Sequence, residues 1–153
     1  MFVGCCRGII CYVKPSNKEI HLSVVIPAYN EEKRIGATLL DVDNYLSKQD
    51  YGYEILVVSD GSKDKTVDVV EKYKQLVKNL EIIDNLENKG KGGVVRQGIL
   101  AARGKYRLFM DADNSTTLDH IEKMWPLLEK GCHVVIGSRD SKDAKGAQQA
   151  VKQ

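Results

Sequence analysis

From His21 onward the chain alternates short apolar runs with longer segments whose apolar residues recur every three or four positions. Residues 22–27 (LSVVIP) form a run rich in β-branched side chains, the pattern of a strand covered on both faces. Pro27 ends it. Ile35, Leu39, Val42 and Leu46 follow at helical spacing on a polar background, one stripe to bury. Glu31 and Glu32 precede that stripe, where the positive end of a helix favours carboxylates. The cycle then repeats. Residues 53–58 (YEILVV) predict a second strand, 59–62 (SDGS) a turn, and Thr66, Val70, Tyr73 and Val77 a second helical stripe. Residues 81–83 predict a weaker third strand, 88–93 (NKGKGG) a glycine-rich loop, and about 94–102 a helix in which Gly98 marks a close approach to a neighbour. A fourth strand covers 107–110. Leu118, Ile121, Trp125 and Leu128 mark a last helix, kinked or split by Pro126 and closed by Gly131, before a fifth strand at 134–137.

Strands alternating with helices over this length predict an α/β domain with a mostly parallel sheet flanked by helices. In such sheets ligands bind beyond the carboxyl ends of the strands. The polar clusters fall there, at 28–31, 59–65, 111–115 and 138–140. The predicted organisation is an amino-terminal extension at 1–20, the domain at 21–140, and a polar tail at 141–153 that has no apolar period.

Composition narrows this little. The 153 residues suffice for one domain with a core, and a net charge of +2 spread along the chain indicates no nucleic-acid partner. No apolar run approaches the ~18 residues needed to cross a bilayer. Three of the four cysteines, Cys5, Cys6 and Cys11, crowd the start and Cys132 stands far off. That is no disulfide framework, and it suits a reduced, cytoplasmic setting. No histidine stands at a zinc-like spacing from them. The apolar start is too short, and interrupted by Arg7, for a signal peptide; an extra strand, a membrane-surface anchor and a loose extension all remain open for it.

The chemistry concentrates in residues 106–117 (YRLFMDADNSTT), an apolar run ending in two carboxylates one residue apart. Residues i and i+2 of an extended segment share a side, so Asp111 and Asp113 would leave the strand pointing the same way. Such a pair, with no imidazole or thiolate nearby in sequence, suits a hard cation such as Mg²⁺, held by carboxylates together with substrate phosphates. A solvated turn is the plain alternative. An EF-hand is a third: Asp111, Asp113, Ser115, Asp119 and Glu122 fall at loop positions 1, 3, 5, 9 and 12, but Thr116 stands where glycine is needed and the preceding segment reads as strand. The lysine–glycine loop at 89–93 adds ammonium groups and backbone N–H groups ahead of a helix, a place for anionic phosphate.

Taken together, VVIPAYNEE, VVSDGSKDKT, NKGKGGVVRQG, FMDADNST and VVIGSR, in this order and spacing, resemble the nucleotide-binding half of an inverting family 2 glycosyltransferase. They are most similar to the dolichyl-phosphate and polyprenyl-phosphate sugar synthases, the glucosyltransferase type above all. The resemblance covers about 22–139 and implies a GT-A-type, Rossmann-like fold. It implies that Pro27, Ala28, Tyr29 and Glu31 line the nucleotide pocket, and that Asp60, with Val58 beside it, accepts a hydrogen bond from the base. It also puts Lys91 near the diphosphate, Asp111 and Ala112 at the ribose or cation, and Asp113 as the direct cation ligand. Ser115 falls where some relatives have a Gln or His ligand, and Arg139 matches an arginine near the donor or acceptor phosphate. Ser59 departs from the pattern, which has a second aspartate there.

The implied activity is transfer of a hexose, glucose favoured, from a UDP- or GDP-sugar to polyprenyl or dolichyl phosphate, assisted by Mg²⁺ or Mn²⁺, at a membrane surface. Asp113 and Arg139 would be its catalytic residues. A phosphate acceptor arrives largely ionised, and no general base is evident after Asp113. The family continues well past Gly-Ser-Arg, whereas this chain stops in the polar tail, so truncation before the acceptor-binding half is expected. A non-catalytic nucleotide-sugar-binding remnant and a calcium-binding module are the other readings.

Overall fold

The computed structural model describes residues 19–137. The expectations for the first eighteen residues, for Arg139 and for the tail at 141–153 lie outside them. The elements are β1 (Ile20–Ala28), α1 (Ile35–Leu46), β2 (Gly52–Asp60), α2 (Thr66–Tyr73), β3 (Leu80–Asn85), α3 (Lys91–Ala101) and β4 (Tyr106–Phe109), then a 3₁₀ helix (Leu118–Lys123) and α4 (Trp125–Glu129). They form two compact units, the first ending at Ser115 and the second beginning at Thr116.

In the first unit the four strands lie in the order β3-β2-β1-β4, every pairing parallel. Val24, Val25 and Ile26 of β1 and Ile55, Val57 and Val58 of β2 have no exposed surface. Successive strand residues face opposite sides, so both faces of the sheet are covered, as the near-continuous apolar runs require. The helical stripes bury as their spacing predicts: Ile35, Leu39, Val42 and Leu46 on α1, Thr66 and Val70 on α2, with Val77 buried just beyond it. A Cβ on Gly98 of α3 would collide with Val25 and come within 2.9 Å of Val58. The missing side chain lets α3 lie directly on β1 and β2.

A polar clip fastens the amino-terminal edge of the sheet. Glu54 on β2 is buried, and its Oε1 accepts hydrogen bonds from the Ser23 hydroxyl (2.7 Å) and the Arg103 N–H (2.6 Å). The Arg103 guanidinium pairs with Oε2 at 2.7 Å, and the Gly104 N–H donates to Ser23 Oγ at 2.8 Å. Burial alone pushes the Glu54 carboxyl up, but these donors and the guanidinium hold it below the ordinary glutamate range. Three segments distant in sequence are thereby locked.

Some expectations are corrected. Helix α3 starts at Lys91, not near Val94, because Gly90 at φ 76° turns the chain into the helix and accepts the N–H groups of Gly93 and Val94. The helix expected at Trp125 is indeed split: a 3₁₀ turn precedes α4, and Pro126 occupies the first turn, where a missing N–H costs nothing. Gly131, at φ 93°, closes α4, its N–H reaching Leu128 O while the Cys132 N–H reaches Leu127 O. The fifth strand does not form. Among the described residues, 134–137 take no strand conformation, and Val134 and Ile136 are 76% and 82% exposed. Apolar β-branched residues create a preference for strand, but only a ladder partner makes one. Among the described residues no helix is long and apolar enough to cross a membrane.

Candidate active site

The strand order places a topological switch beside β1: the chain leaves it toward β2 on one side, and β4 arrives on the other. Loops that diverge from neighbouring strand ends leave a crevice there. A cleft of about 390 Å³ occupies that position, large enough for a small ligand.

Its first wall is Pro27, Ala28, Tyr29 and Glu31, from the end of β1 and the loop beyond. That loop is stitched to the one after β2. The Asn30 N–H donates to Ser62 Oγ, the Lys63 N–H to Asn30 Oδ1, the Glu31 N–H to Thr66 Oγ1, and the Lys65 N–H to Glu32 Oε2. Asp64 accepts from the Glu32 N–H and from both the N–H and the hydroxyl of Thr66. Burial would push Asp64 up; these donors outweigh it and hold the carboxyl below its usual range. Asn30 adopts φ 55°, a left-handed conformation that asparagine tolerates. The Arg34 guanidinium grips both oxygens of Glu31 at 2.7 Å. Tyr29 is left half exposed against the cleft.

Asp60 forms the second wall, at the end of β2. Its Oδ1 accepts the Lys89 N–H at 2.6 Å and its carbonyl accepts Asn88 Nδ2 at 3.2 Å. Gly61, at φ 69°, lets this turn press against the 87–88 backbone, which a Cβ would approach within 2.9 Å. Asn88, Gly90, Lys91 and Val94 make the third wall. No side chain caps α3 and no acid lies in its first turn, so the positive end of its dipole faces the cleft with no carboxylate of its own helix against it.

Asp111, Ala112 and Asp113 complete the cleft. β4 ends at Phe109 and Met110 still donates to Val25 O, but Asp111 lies past the strand and Asp113 on the turn that follows. The strand thus ends before the pair, and both acids line the cleft from the segment that follows it. Lys91 Nζ lies 2.6 Å from Asp111 Oδ1. Asp113 Oδ1 accepts the Ser115 N–H at 3.0 Å. Bonds from the Ser115 backbone and hydroxyl, helped by the nearby Arg34 charge, hold Asp113 below the ordinary carboxylate range. Among the described residues no three His, Cys, Asp or Glu side chains cluster as a metal cage. Two carboxylates in an open cleft, one already paired with an ammonium, instead fit a cation shared with a phosphate-bearing ligand. A strand, not a helix, leads into the acids, so the EF-hand reading fails.

Of the residues the sequence singles out, Pro27, Ala28, Tyr29, Glu31, Asp60, Lys91, Asp111, Ala112 and Asp113 line this cleft together. Val58 does not; it is wholly buried beneath α3. Ser115 is off the wall and acts on Asp113. Asn88, Gly90 and Val94 were not singled out as site residues, although the glycine-rich motif containing the first two was the available signal.

A parallel α/β domain with a helix amino terminus and an acid pair beside its topological switch has the architecture of GT-A-type domains. Residues 23–153 match Glycosyl transferase family 2, and the chain belongs to that family. It is 42% identical over 131 residues to a dolichyl-phosphate β-glucosyltransferase of Dictyostelium discoideum, covering 78% of this chain and 40% of that protein. It spans about two fifths of the length of such relatives. The fold superposes on S. aureus TarS in complex with UDP with a TM-score of 0.55 and 32% identity, over 72% of this chain and 32% of that one. Against the mannosyltransferase PcManGT from Pyrobaculum calidifontis in complex with GDP-Man and Mn²⁺ the TM-score is 0.54, with 26% identity over 61% of this chain and 27% of the other.

Proposed function

We propose that this chain carries the donor-binding part of a metal-assisted inverting glycosyltransferase that moves glucose from UDP-glucose to dolichyl phosphate. The observation that carries the reading is the convergence of Tyr29, Asp60, the α3 amino terminus with Lys91, and the Asp111–Asp113 turn on one cleft. The dolichyl-phosphate β-glucosyltransferase relatives favour glucose and that acceptor. The UDP bound in TarS favours uridine over guanosine, and the Mn²⁺ in PcManGT favours a divalent cation.

Each residue then has a physical task. The Tyr29 ring offers a flat apolar face to the base, and Asp60 accepts a hydrogen bond from it, with Val58 as support beneath. The α3 N–H groups and the Lys91 ammonium hold the diphosphate. Asp111 and Asp113, with Ser115 beside them, would hold Mg²⁺ or Mn²⁺, and the ion would supply Lewis-acid neutralisation of charge growing on the leaving diphosphate. Arg139 is proposed as a further phosphate partner. The acceptor phosphate, with a second pKa near ~6, needs no base to deprotonate it. Attack opposite the leaving group inverts the anomeric carbon. Dolichyl phosphate is a membrane lipid, which places the reaction at a bilayer surface, on the cytoplasmic side in this reading.

Calorimetric titration of the chain with UDP, GDP and UDP-glucose, with and without Mn²⁺, tests donor binding. UDP should bind, and Mn²⁺ should strengthen it. Silence with every nucleotide would remove the reading. Glycosylation of sugar hydroxyls with indifference to polyprenyl phosphate would remove the acceptor assignment.

A further inference from the structure

Two bonds from α1 fix the residues on either side of Asp113. Thr38, 1% exposed in the first turn of the helix, lies 2.7 Å from Ala112 O and 3.3 Å from the carbonyl of Arg34. A helical threonine ordinarily spends its hydroxyl on the i−4 carbonyl. A hydroxyl donates only one proton, and here the shorter contact, to a carbonyl 74 residues away, takes it. Three positions on, and so on the same helical face, Asp41 Oδ2 accepts Asn114 Nδ2 at 2.6 Å. Asn114 adopts φ 55°, a conformation that turns the chain sharply after Asp113. One element therefore holds the main-chain carbonyl immediately before that acid and the side chain of the residue immediately after it. The Oδ1 of Asp113 is held by the Ser115 N–H.

We infer that Thr38 and Asp41 are positioning residues for the cation-binding turn: α1 acts as a splint that presents Asp113 to the cleft in one orientation. This rests on Asp113 being a cation ligand. β4 has only four residues and among the described residues pairs with β1 alone, and its last ladder-like bond is from Met110 to Val25. Beyond it, the two bonds to α1 tie the turn on either side of Asp113. Neither side chain lines the cleft, so each would act through the turn and not as a ligand itself.

The test is Mn²⁺ affinity, read from the electron paramagnetic resonance signal of free Mn²⁺, beside UDP affinity without metal and the melting temperature. Thr38→Val keeps the shape and removes the donor; Thr38→Ser restores it; Asp41→Asn weakens the second tie at the surface. Supporting partners of metal sites cost about 10–100-fold in affinity when lost. Thr38→Val should weaken Mn²⁺ binding by about tenfold, at the lower end of that range, with metal-free UDP binding unchanged. Thr38→Ser should recover most of it, and Asp41→Asn should lose a few-fold. Unaltered Mn²⁺ affinity in folded Thr38→Val, with only a lower melting temperature, would overturn the positioning role. Should Thr38→Val not fold, unaltered affinity in Asp41→Ala would overturn it equally. Parent protein that binds UDP but takes up no Mn²⁺ would instead overturn the cation reading beneath it.

Discussion

The 2.6 Å contact between Lys91 Nζ and Asp111 Oδ1 joins an ammonium that is more than half exposed to a carboxylate also open to solvent. Pairs of this kind contribute little, about 0–1 kcal/mol, so a divalent ion or a diphosphate can separate them. Replacing Lys91 with Met should act in opposite directions on two ligands. Mn²⁺ alone should bind up to a few-fold tighter, because Asp111 has lost its competitor, while UDP should bind more weakly; parallel calorimetric titrations would check both signs. Asp113→Asn should weaken Mn²⁺ by tenfold or more and leave metal-free UDP binding nearly intact. The residues on the cleft wall were legible because their motifs cluster at strand ends. Thr38 and Asp41 were not: a threonine and an aspartate in an amphipathic helix carry no mark of what they hold. Glu54 was hidden in the same way, read as part of an apolar strand although it is the centre of a buried clip.

Helix α3 shows how an element converts packing into site geometry. Its glycine face lies on Val25 and Val58 while its first residue, Lys91, stands on the cleft. Gly98→Ala gains about 1 kcal/mol of helix propensity but must overpack that contact at about 1–3 kcal/mol. A net loss near 1 kcal/mol in denaturant unfolding is expected, with UDP affinity falling as well because the helix start is displaced. The strands and helical stripes were readable because burial on two faces, or on one stripe, leaves a period in the sequence. The segment at 134–137 was misread for the complementary reason: its composition reports what it would prefer, and nothing in it reports whether an edge is available.

For the molecule as a whole, acid is the sensitive direction. Glu54 and Asp64 are held below their ordinary values in the folded state. The unfolded chain therefore binds more protons, and their stabilisation is present above the ordinary carboxylate range and lost as pH falls through the folded values. Urea midpoints should be flat from pH 7 to about 5 and decline below about pH 4. Glu54→Gln should cost about 1–2 kcal/mol at neutral pH, and the gap from the parent should close as the pH drops; a constant gap would mean that the clip is not electrostatic.

The Asp60–Lys89 bond couples two choices that could otherwise evolve apart. On the proposed reading, one carboxylate both greets the nucleobase and anchors the backbone leading into the anion site. A lineage that altered position 60 to accept a different base would loosen its hold on the pyrophosphate in the same mutational step. New donor preferences would then have to arise from the Tyr29 side, where the ring can change without disturbing that anchor.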